Sequence, residues 1–582
     1  MFFLLVYVGF SLIVNSKKDY GRQTLRNAYL FLVSLFFYYK TSGLFVLLLI
    51  GSTLLGWLLG IGMDRSSTTS SRRRNLVVRK ALMIVGVVVN LGVLGFFKYA
   101  YFFTDLFNAT FGTDHHIAIQ ILLPVGISFY TFQNISYIVD VYRRRIPHVS
   151  NVLDFGFYTS FFPQLVAGPI LRADQFVPQL YKPFHLSRRQ FGVALFWILN
   201  GLIKKLVLSD YLAVNFVDRV FDNPALYTPF ENFSALMLYS LQVYADFSGY
   251  TDIAIGVALL MGFYLPLNFN SPYKATSPTD FWRRWHISLS HWLRDYLYIP
   301  LGGNRSAGWF SYTLLAIMMA IAAFRLRSTL FTVSVIVVAV GIALRWWIDK
   351  KHRHDMGTNV NNLDTMLLGG LWHGASFNFI TWGGLNGLGI LVNKWWRRQK
   401  WLTQFFALAA TCLVLTVLNA TLDSPLVRML QFIVLVCLGV FTLLHLLPQA
   451  ARVTRGAWTV WSTGLTFVFI SFTRLFFRSG SNLDPAEANE VAWRTASQMV
   501  TQIGSHWDLA QIPTIVGHYW APFLLFLVGM VIHWLPESFK RRYRLAFARL
   551  PLWVMALIVV VTVVVLYQFI TADLQPFIYF QF

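Results

Sequence analysis

Asn268 to Asn304, NFNSPYKATSPTDFWRRWHISLSHWLRDYLYIPLGGN, does not read as ordinary membrane helix. The chain is 56% hydrophobic, yet here Lys274, Asp280, Arg283, Arg284, His286, His291, Arg294 and Asp295 crowd into one polar and aromatic block. An ionisable side chain facing lipid costs roughly 2.5 to 3.5 kcal/mol at the bilayer centre. The block therefore belongs at a membrane face, in a water-filled funnel or in a polar protein interior. Its start is punctuated: Ser277 suits a helix N-cap, Pro278 the first helical position, and Asp280 the place from which a capping-box acid reaches back. The pattern predicts a helix from Pro278 to about Leu293. On it Trp282, His286, Leu289, Ser290 and Leu293 would share a face by three- and four-residue spacing.

A second polar island follows at Thr365 to Asn386, TMLLGGLWHGASFNFITWGGLN. His373 stands there without a charged neighbour, among Gly369, Gly370, Gly374, Ala375, Ser376, Gly383 and Gly384. Small residues let membrane helices approach closely, and the glycines are expected to leave room beside the imidazole.

Outside these islands the composition is that of a polytopic membrane protein. Over 582 residues there are 53 Phe and only 13% charged residues, and the mean hydropathy is +0.55. Repeated apolar stretches near 20 residues read as spans, which excludes a soluble globular chain. Both cysteines, Cys412 and Cys437, lie in apolar runs, so neither a disulfide framework nor a cysteine metal site is expected. The net charge of +23 comes from Lys and Arg clustered between apolar stretches. That is the positive-inside pattern and not a nucleic-acid footprint.

Met1 to Asn15 is apolar and lacks a basic n-region and a small-residue cleavage site, so it reads as an uncleaved span. Further spans are expected at about 27–39, 43–63 and 81–103. The basic loops 16–26 and 64–80 and the triplet Arg143 to Arg145 are placed in the cytoplasm, and the weakly charged loop 104–116 outside. Between Leu153 and Phe263 the apolar runs are interrupted by Pro163, Gly168-Pro169, Lys204-Lys205, Asp246 and Asp252, which predicts tilted, broken or re-entrant helices. Lys204 and Lys205 read as snorkelling at an interface. Asp246 and Asp252 read either as paired structural acids or as part of a polar cavity. After Phe379, apolar runs continue to about Thr571; the polar segment 478–519 is placed outside and the basic cluster Lys540 to Arg544 inside.

Histidine is the side chain whose unperturbed pKa, about 6.5, suits taking a proton from a hydroxyl. His373 is the candidate for that task. His286, with Ser290 one turn on, is a candidate for orienting donor or acceptor, or for polarising a carbonyl. The alternative for His286 is an aromatic-packed histidine bonded to a backbone carbonyl, and for His373 a histidine that only packs helices. A nucleotide-binding glycine loop, an HExxH helix and a G-x-S-x-G elbow are all absent from the sequence. His352, His354 and Asp355 sit in a basic linker and read as a solvated loop, with no metal inferred.

The strings YADFSGYTDIAIG (244–256), FWRRWHISLSHWLRDYLYIPLGGNR (281–305) and TMLLGGLWHGAS (365–376) carry a family likeness. So do LLPVGISFYTFQNISYIVDVYR (122–143), FFPQLVAGPI (161–170) and GLIKKLVLSD (201–210). The chain resembles the membrane-bound O-acyltransferases from about Ala28 to Phe477, in the bacterial branch of the alginate O-acetyltransferase membrane component. The D-alanyl transfer protein of teichoic acid modification is a more distant likeness. The resemblance implies an all-α polytopic fold with many transmembrane and re-entrant helices around a central funnel. It implies His373 as the catalytic histidine and His286 as the second, with Trp282, Arg283, Ser290, Asp295, Asn304, Trp372 and Asp246 as candidate substrate-binding residues.

By the same resemblance the chain would be an O-acyltransferase of the bacterial inner membrane. It would move an acetyl group from a cytoplasmic thioester, acetyl-CoA, toward an extracytoplasmic polysaccharide, with no tightly bound cofactor and no metal. Its partners would be the lipid bilayer, the thioester donor, the polysaccharide acceptor and an SGNH-type periplasmic acetyltransferase; no nucleic acid is implied. D-alanyl transfer and a non-enzymatic transporter are the alternatives, although no inverted repeat supports the latter. The expected organisation is 1–120 N-terminal helices, 121–304 first part of the core, 305–361 an inserted transmembrane hairpin, 362–478 second part of the core, and 479–582 a C-terminal polar loop and helices. The insertion, with apolar runs at about 309–324 and 328–344, departs from the family pattern and is expected to be peripheral. Asn386 departs too, standing where alginate-type relatives often have histidine.

Overall fold

A computed structural model describes residues 2–14, 22–66, 72–115, 117, 119–326, 353–448, 451–478 and 485–569. These residues form helices and connecting turns, with no strand among them. Seven of the helices are long and apolar enough to cross a membrane, or eight if the pair Leu509–His518 and Trp520–Trp534, bent by 88°, counts as one span. The second apolar run of the insertion, together with His352, lies outside the described residues.

The first helices, Phe2–Val14, Arg22–Ser42, Val46–Ser66 and Arg72–Phe111, follow the expected spans. With Ile127–Tyr142 and Val152–Ser160 they close a core of Phe10, Tyr137, Phe155, Phe157, Tyr158 and Phe176. A second core surrounds the helix Pro229–Leu260. Thr228 and Glu231 form a capping box at its start, behind Pro229 in the first turn, and so satisfy donors that would otherwise be orphaned in a buried helix end. Gly201 and Gly249 let Arg188–Ile203 press against it: a Cβ on Gly201 would lie 2.5 Å from the Gly249 carbonyl oxygen.

Around Pro163 and Gly168-Pro169 the chain is broken into the short helices Val152–Ser160, Phe162–Leu165 and Ala173–Leu180, as the interruptions predict, but Lys204-Lys205 breaks nothing: the helix runs on from Arg188 to Asp222, with π-helical turns at Lys204–Asp210 and Ala213–Val217. Asp246 and Asp252 do not break their helix, which runs 32 residues through both. Lys204 and Lys205 explain this, and they are not snorkelling. Lys204 Nζ lies 2.7 Å from Asp252, which also accepts from Asn200 at 2.6 Å, and Lys205 Nζ bridges Asp246 at 2.7 Å and Asp210 at 2.8 Å. Both lysines thus point into the protein, where each meets an acid from the neighbouring helix. The two acids are paired, one of the two readings left open by the sequence.

The first apolar run of the insertion forms the helix Trp309–Leu326, which rests on the rest of the bundle, and the insertion's last residues, 353–361, begin the helix Arg353–His373. Leu315 and Met318 pack with Phe102, Leu367 and Ile380.

Candidate active site

The expected helix from Pro278 to Leu293 is two helices, Pro278–Arg284 and Ile287–Leu293. Its start is as read: Ser277 accepts from Asp280 N and Pro278 opens the first turn. The break comes at Trp285 and His286, the latter in the left-handed region at φ 45° and ψ 54°. A non-glycine residue held there costs about 1–3 kcal/mol, so neighbouring structure must impose it. Asn268 does. Its carbonyl accepts from Ile287 N at 2.9 Å, and its side-chain oxygen accepts from Ser288 N at 3.1 Å and Ser288 Oγ at 2.9 Å. The same oxygen lies 3.2 Å from His286 Nδ1.

This arrangement fixes a tautomer. The Ser288 backbone N–H requires an oxygen at that corner of the Asn268 amide, and an amide oxygen only accepts. His286 Nδ1 therefore carries the proton, and a neutral His286 presents a lone pair at Nε2. In that state it accepts from a hydroxyl and cannot donate to a carbonyl.

His373 ends the helix Arg353–His373, and the next helix, Phe377–Trp396, folds back along it. Glycines permit that return: a Cβ on Gly370 would lie 2.3 Å from Phe379 O, and one on Gly383 2.3 Å from Met366 O. The glycines are thus consumed by helix contact, and they are not what leaves room at His373. Room lies on the other side, in a cavity of about 140 Å³ lined by Lys98, the 123–129 turn, Val166, Trp372 and His373. Gly126 makes that turn, at φ 72°, with Leu165 O only 2.5 Å from where a Cβ would stand. Lys98 donates to Trp372 O at 2.6 Å and His373 O at 3.2 Å, and Tyr99 donates to Leu371 O at 2.9 Å. These contacts cap the carbonyl end of the helix, where a cation is favoured.

The two islands meet at the histidines. His286 is 0% and His373 4% exposed, and their ring centroids are 6.3 Å apart. Phe247 stands edge-on to His286 at 4.7 Å, and Trp372 lies 6.0 Å from it. Trp382 at 5.1 Å and Phe477 at 5.4 Å wall His373.

Of the other residues singled out in the sequence, Trp372 and Trp282 belong to this aromatic wall, Trp282 through Trp382 at 5.5 Å. Ser290 donates to Trp282 O at 3.0 Å and ties the helix break together. Asp295 is bound by Arg172 and Arg294, both at 2.7 Å. Asp246 neighbours Phe247 in sequence but is held by Lys205. Arg283 and Asn304 are exposed, the latter accepting from Tyr298 at 2.5 Å. Asn386 donates to Trp382 O at 2.8 Å and Thr473 Oγ1 at 3.2 Å, joining two walls of the site.

A profile of MBOAT, the membrane-bound O-acyltransferase family, matches residues 143–323. A probable alginate O-acetylase AlgI of Pseudomonas aeruginosa is 38% identical over 63% of this chain and 61% of its own length. The chain belongs to the membrane-bound O-acyltransferase family. It lies in the alginate O-acetylase-like branch, and a peptidoglycan O-acetyltransferase of Helicobacter pylori is 33% identical over 63% of the chain and 64% of that protein. A teichoic acid D-alanyltransferase of Bacillus subtilis is more distant, 25% identical over 50% of the chain. The chain spans less than two thirds of the length of the first two relatives. Family membership and the apolar helices together make this an all-helical, multi-pass membrane protein.

Sequence reasoning passed over Asn268, Lys98 and Arg474. Lys98 had a signal, a lone lysine inside the apolar run Phe96-Phe97-Lys98-Tyr99. Asn268 and Arg474 had none, because what marks each is a contact with residues distant in sequence.

Proposed function

We propose that this protein is an O-acyltransferase that moves an acetyl group from a cytoplasmic thioester, acetyl-CoA, across the membrane toward an extracytoplasmic polysaccharide. The observation that supports it best is the placement of His373: buried, bordering a cavity, and 6.3 Å from a second histidine whose proton is committed to Asn268. Its alginate- and peptidoglycan-acetylating relatives favour acetyl over D-alanyl, at 33% to 38% identity against 25%.

In this reading His373 takes the proton of the acceptor hydroxyl as its oxygen attacks the thioester carbonyl carbon. The imidazolium then returns that proton to the leaving thiolate when the carbon–sulfur bond breaks. His286, through Nε2, accepts a hydrogen bond that orients the hydroxyl. Excluding water from the aromatic wall keeps the thioester from hydrolysis. The protein would sit in the inner membrane and pass the acyl group onward with an SGNH-type periplasmic acetyltransferase.

The test is the ester content of surface polysaccharide in cells carrying the wild-type chain, an empty vector or the His373→Ala variant. Acetate esters present only with the wild-type chain are expected. D-alanine esters would establish the alternative reading, and equal ester content in all three strains would exclude both.

A further inference from the structure

An acyl transfer at His373 leaves one requirement unmet by the two histidines. When the hydroxyl oxygen bonds to the carbonyl carbon, the pair of electrons of the C=O bond moves to oxygen, and that oxyanion needs a donor or a cation. His373 is occupied with the proton, and neutral His286 offers no N–H at Nε2.

Arg474 follows the helix Arg452–Thr473 and is 4% exposed. Its guanidinium lies 4.4 Å over the ring of Trp285, the residue before His286. Arg474 forms the turn between that helix and the short helix Leu475–Arg478, on which the Phe477 ring lies 5.4 Å from that of His373.

Among the described residues, no carboxylate pairs with this guanidinium and no acceptor takes its N–H groups; Nε is buried without a partner. Arg478, one turn on, shows the contrast, because Asp218 binds it at 2.7 Å. A buried cation without a counter-charge is strongly destabilising, and stacking on one indole offsets only part of that. Such a residue is kept for a negative charge that arrives with the reaction.

We propose that Arg474 pairs with the oxyanion formed at the thioester carbonyl during acyl transfer. The inference rests on the acyl-transfer reading. The oxyanion collapses as the carbon–sulfur bond breaks, the electron pair returns to the carbonyl, and the sulfur leaves with the proton from His373.

The test compares wild-type, Arg474→Met and Arg474→Lys proteins, full length, in inverted membrane vesicles supplied with acetyl-CoA labelled in the acetyl group. For Arg474→Met, kcat should fall at least 100-fold with the KM for acetyl-CoA changed less than threefold, and Arg474→Lys should retain more activity than Arg474→Met. Melting of the purified proteins in one detergent supplies a readout independent of activity. Methionine fills similar space without a charge to desolvate, so Arg474→Met should melt at or above the wild-type temperature. Three results would overturn the proposal: a kcat within threefold of wild type, a loss confined to the KM for acetyl-CoA, or a fall in melting temperature and abundance that accounts for the lost rate. Absence of transfer by wild-type vesicles is a separate outcome, which removes the acyl-transfer reading and this inference with it.

Discussion

His286 and His373, from separate polar islands of the sequence, stand with their rings 6.3 Å apart in the buried heart of the protein. They are held differently. His286 is anchored through Nδ1 to Asn268, whereas His373 borders a cavity at a helix end that Lys98 caps. Loss of a general base costs roughly 100- to 10,000-fold in rate, and loss of one orienting hydrogen bond of about 0.5–1.5 kcal/mol costs roughly 2- to 13-fold. His373→Ala should therefore abolish polysaccharide acylation at normal membrane abundance, while His286→Ala leaves a measurable remainder. Ester-linked acyl groups on the cell's polysaccharide are the readout. Near-normal acylation with His373→Ala would remove it from the base role, and equal complete loss in both would make His286 a co-equal partner.

Asn268 should behave as part of His286. One side-chain oxygen holds His286 Nδ1, Ser288 N and Ser288 Oγ, and with it the left-handed turn. Asn268→Ala should lower transfer at least as far as His286→Ala. Because the two act through one hydrogen bond, the double variant should be no slower than Asn268→Ala alone. Losses that multiply in the double variant would show that Asn268 acts elsewhere.

Much of this architecture is legible in the sequence, and the illegible parts have a common cause. Ser277 and Pro278 mark a helix start by local chemistry alone, and the start is where they place it. The break eight residues later is not local: Trp285-His286-Ile287 contains neither glycine nor proline, and the turn is imposed from Asn268. Lys204 and Lys205 read as interfacial because their acids lie on another helix. Arg474 looks like any arginine ending a span until Trp285 is found beneath it. The pairing of His286 with His373 came from family likeness, and no spacing rule would have supplied it.

Orientation is open to direct test. Segments 64–80 and 540–544 should face the cytoplasm and segment 104–114, the end of the helix Arg72–Phe111 and the turn after it, the outside, because the positive charges cluster in the first two. Native Cys412 and Cys437, both half-buried, are first replaced by serine and alanine. Single cysteines at Ser70 and Thr110 are then exposed to an impermeant thiol reagent in intact cells permeable only at the outer envelope. Thr110 is exposed, and labelling is expected there alone; labelling at Ser70 would invert the topology.

The lysine–aspartate pairs beneath the site should show the asymmetry of buried charges. Asp252 is 6% exposed on the central helix, and Lys204 Nζ and Asn200 Nδ2 both meet its Oδ2, at 2.7 and 2.6 Å. Lys204→Met would leave a carboxylate in the protein interior with only an amide to hold it. Removing one partner of such a pair typically costs about 3–5 kcal/mol, whereas replacing both by apolar groups is often close to neutral. Purified Lys204→Met should therefore melt well below the wild type in the same detergent. Lys204→Met combined with Asp252→Leu should recover most of the loss, short of complete recovery because Asn200 then lacks its acceptor. Neither residue touches His286 or His373, so the double variant should also keep its acylation activity. A double variant less stable than Lys204→Met alone would mean that Asp252 supports the helix contact at Gly201 and Gly249 independently of its lysine.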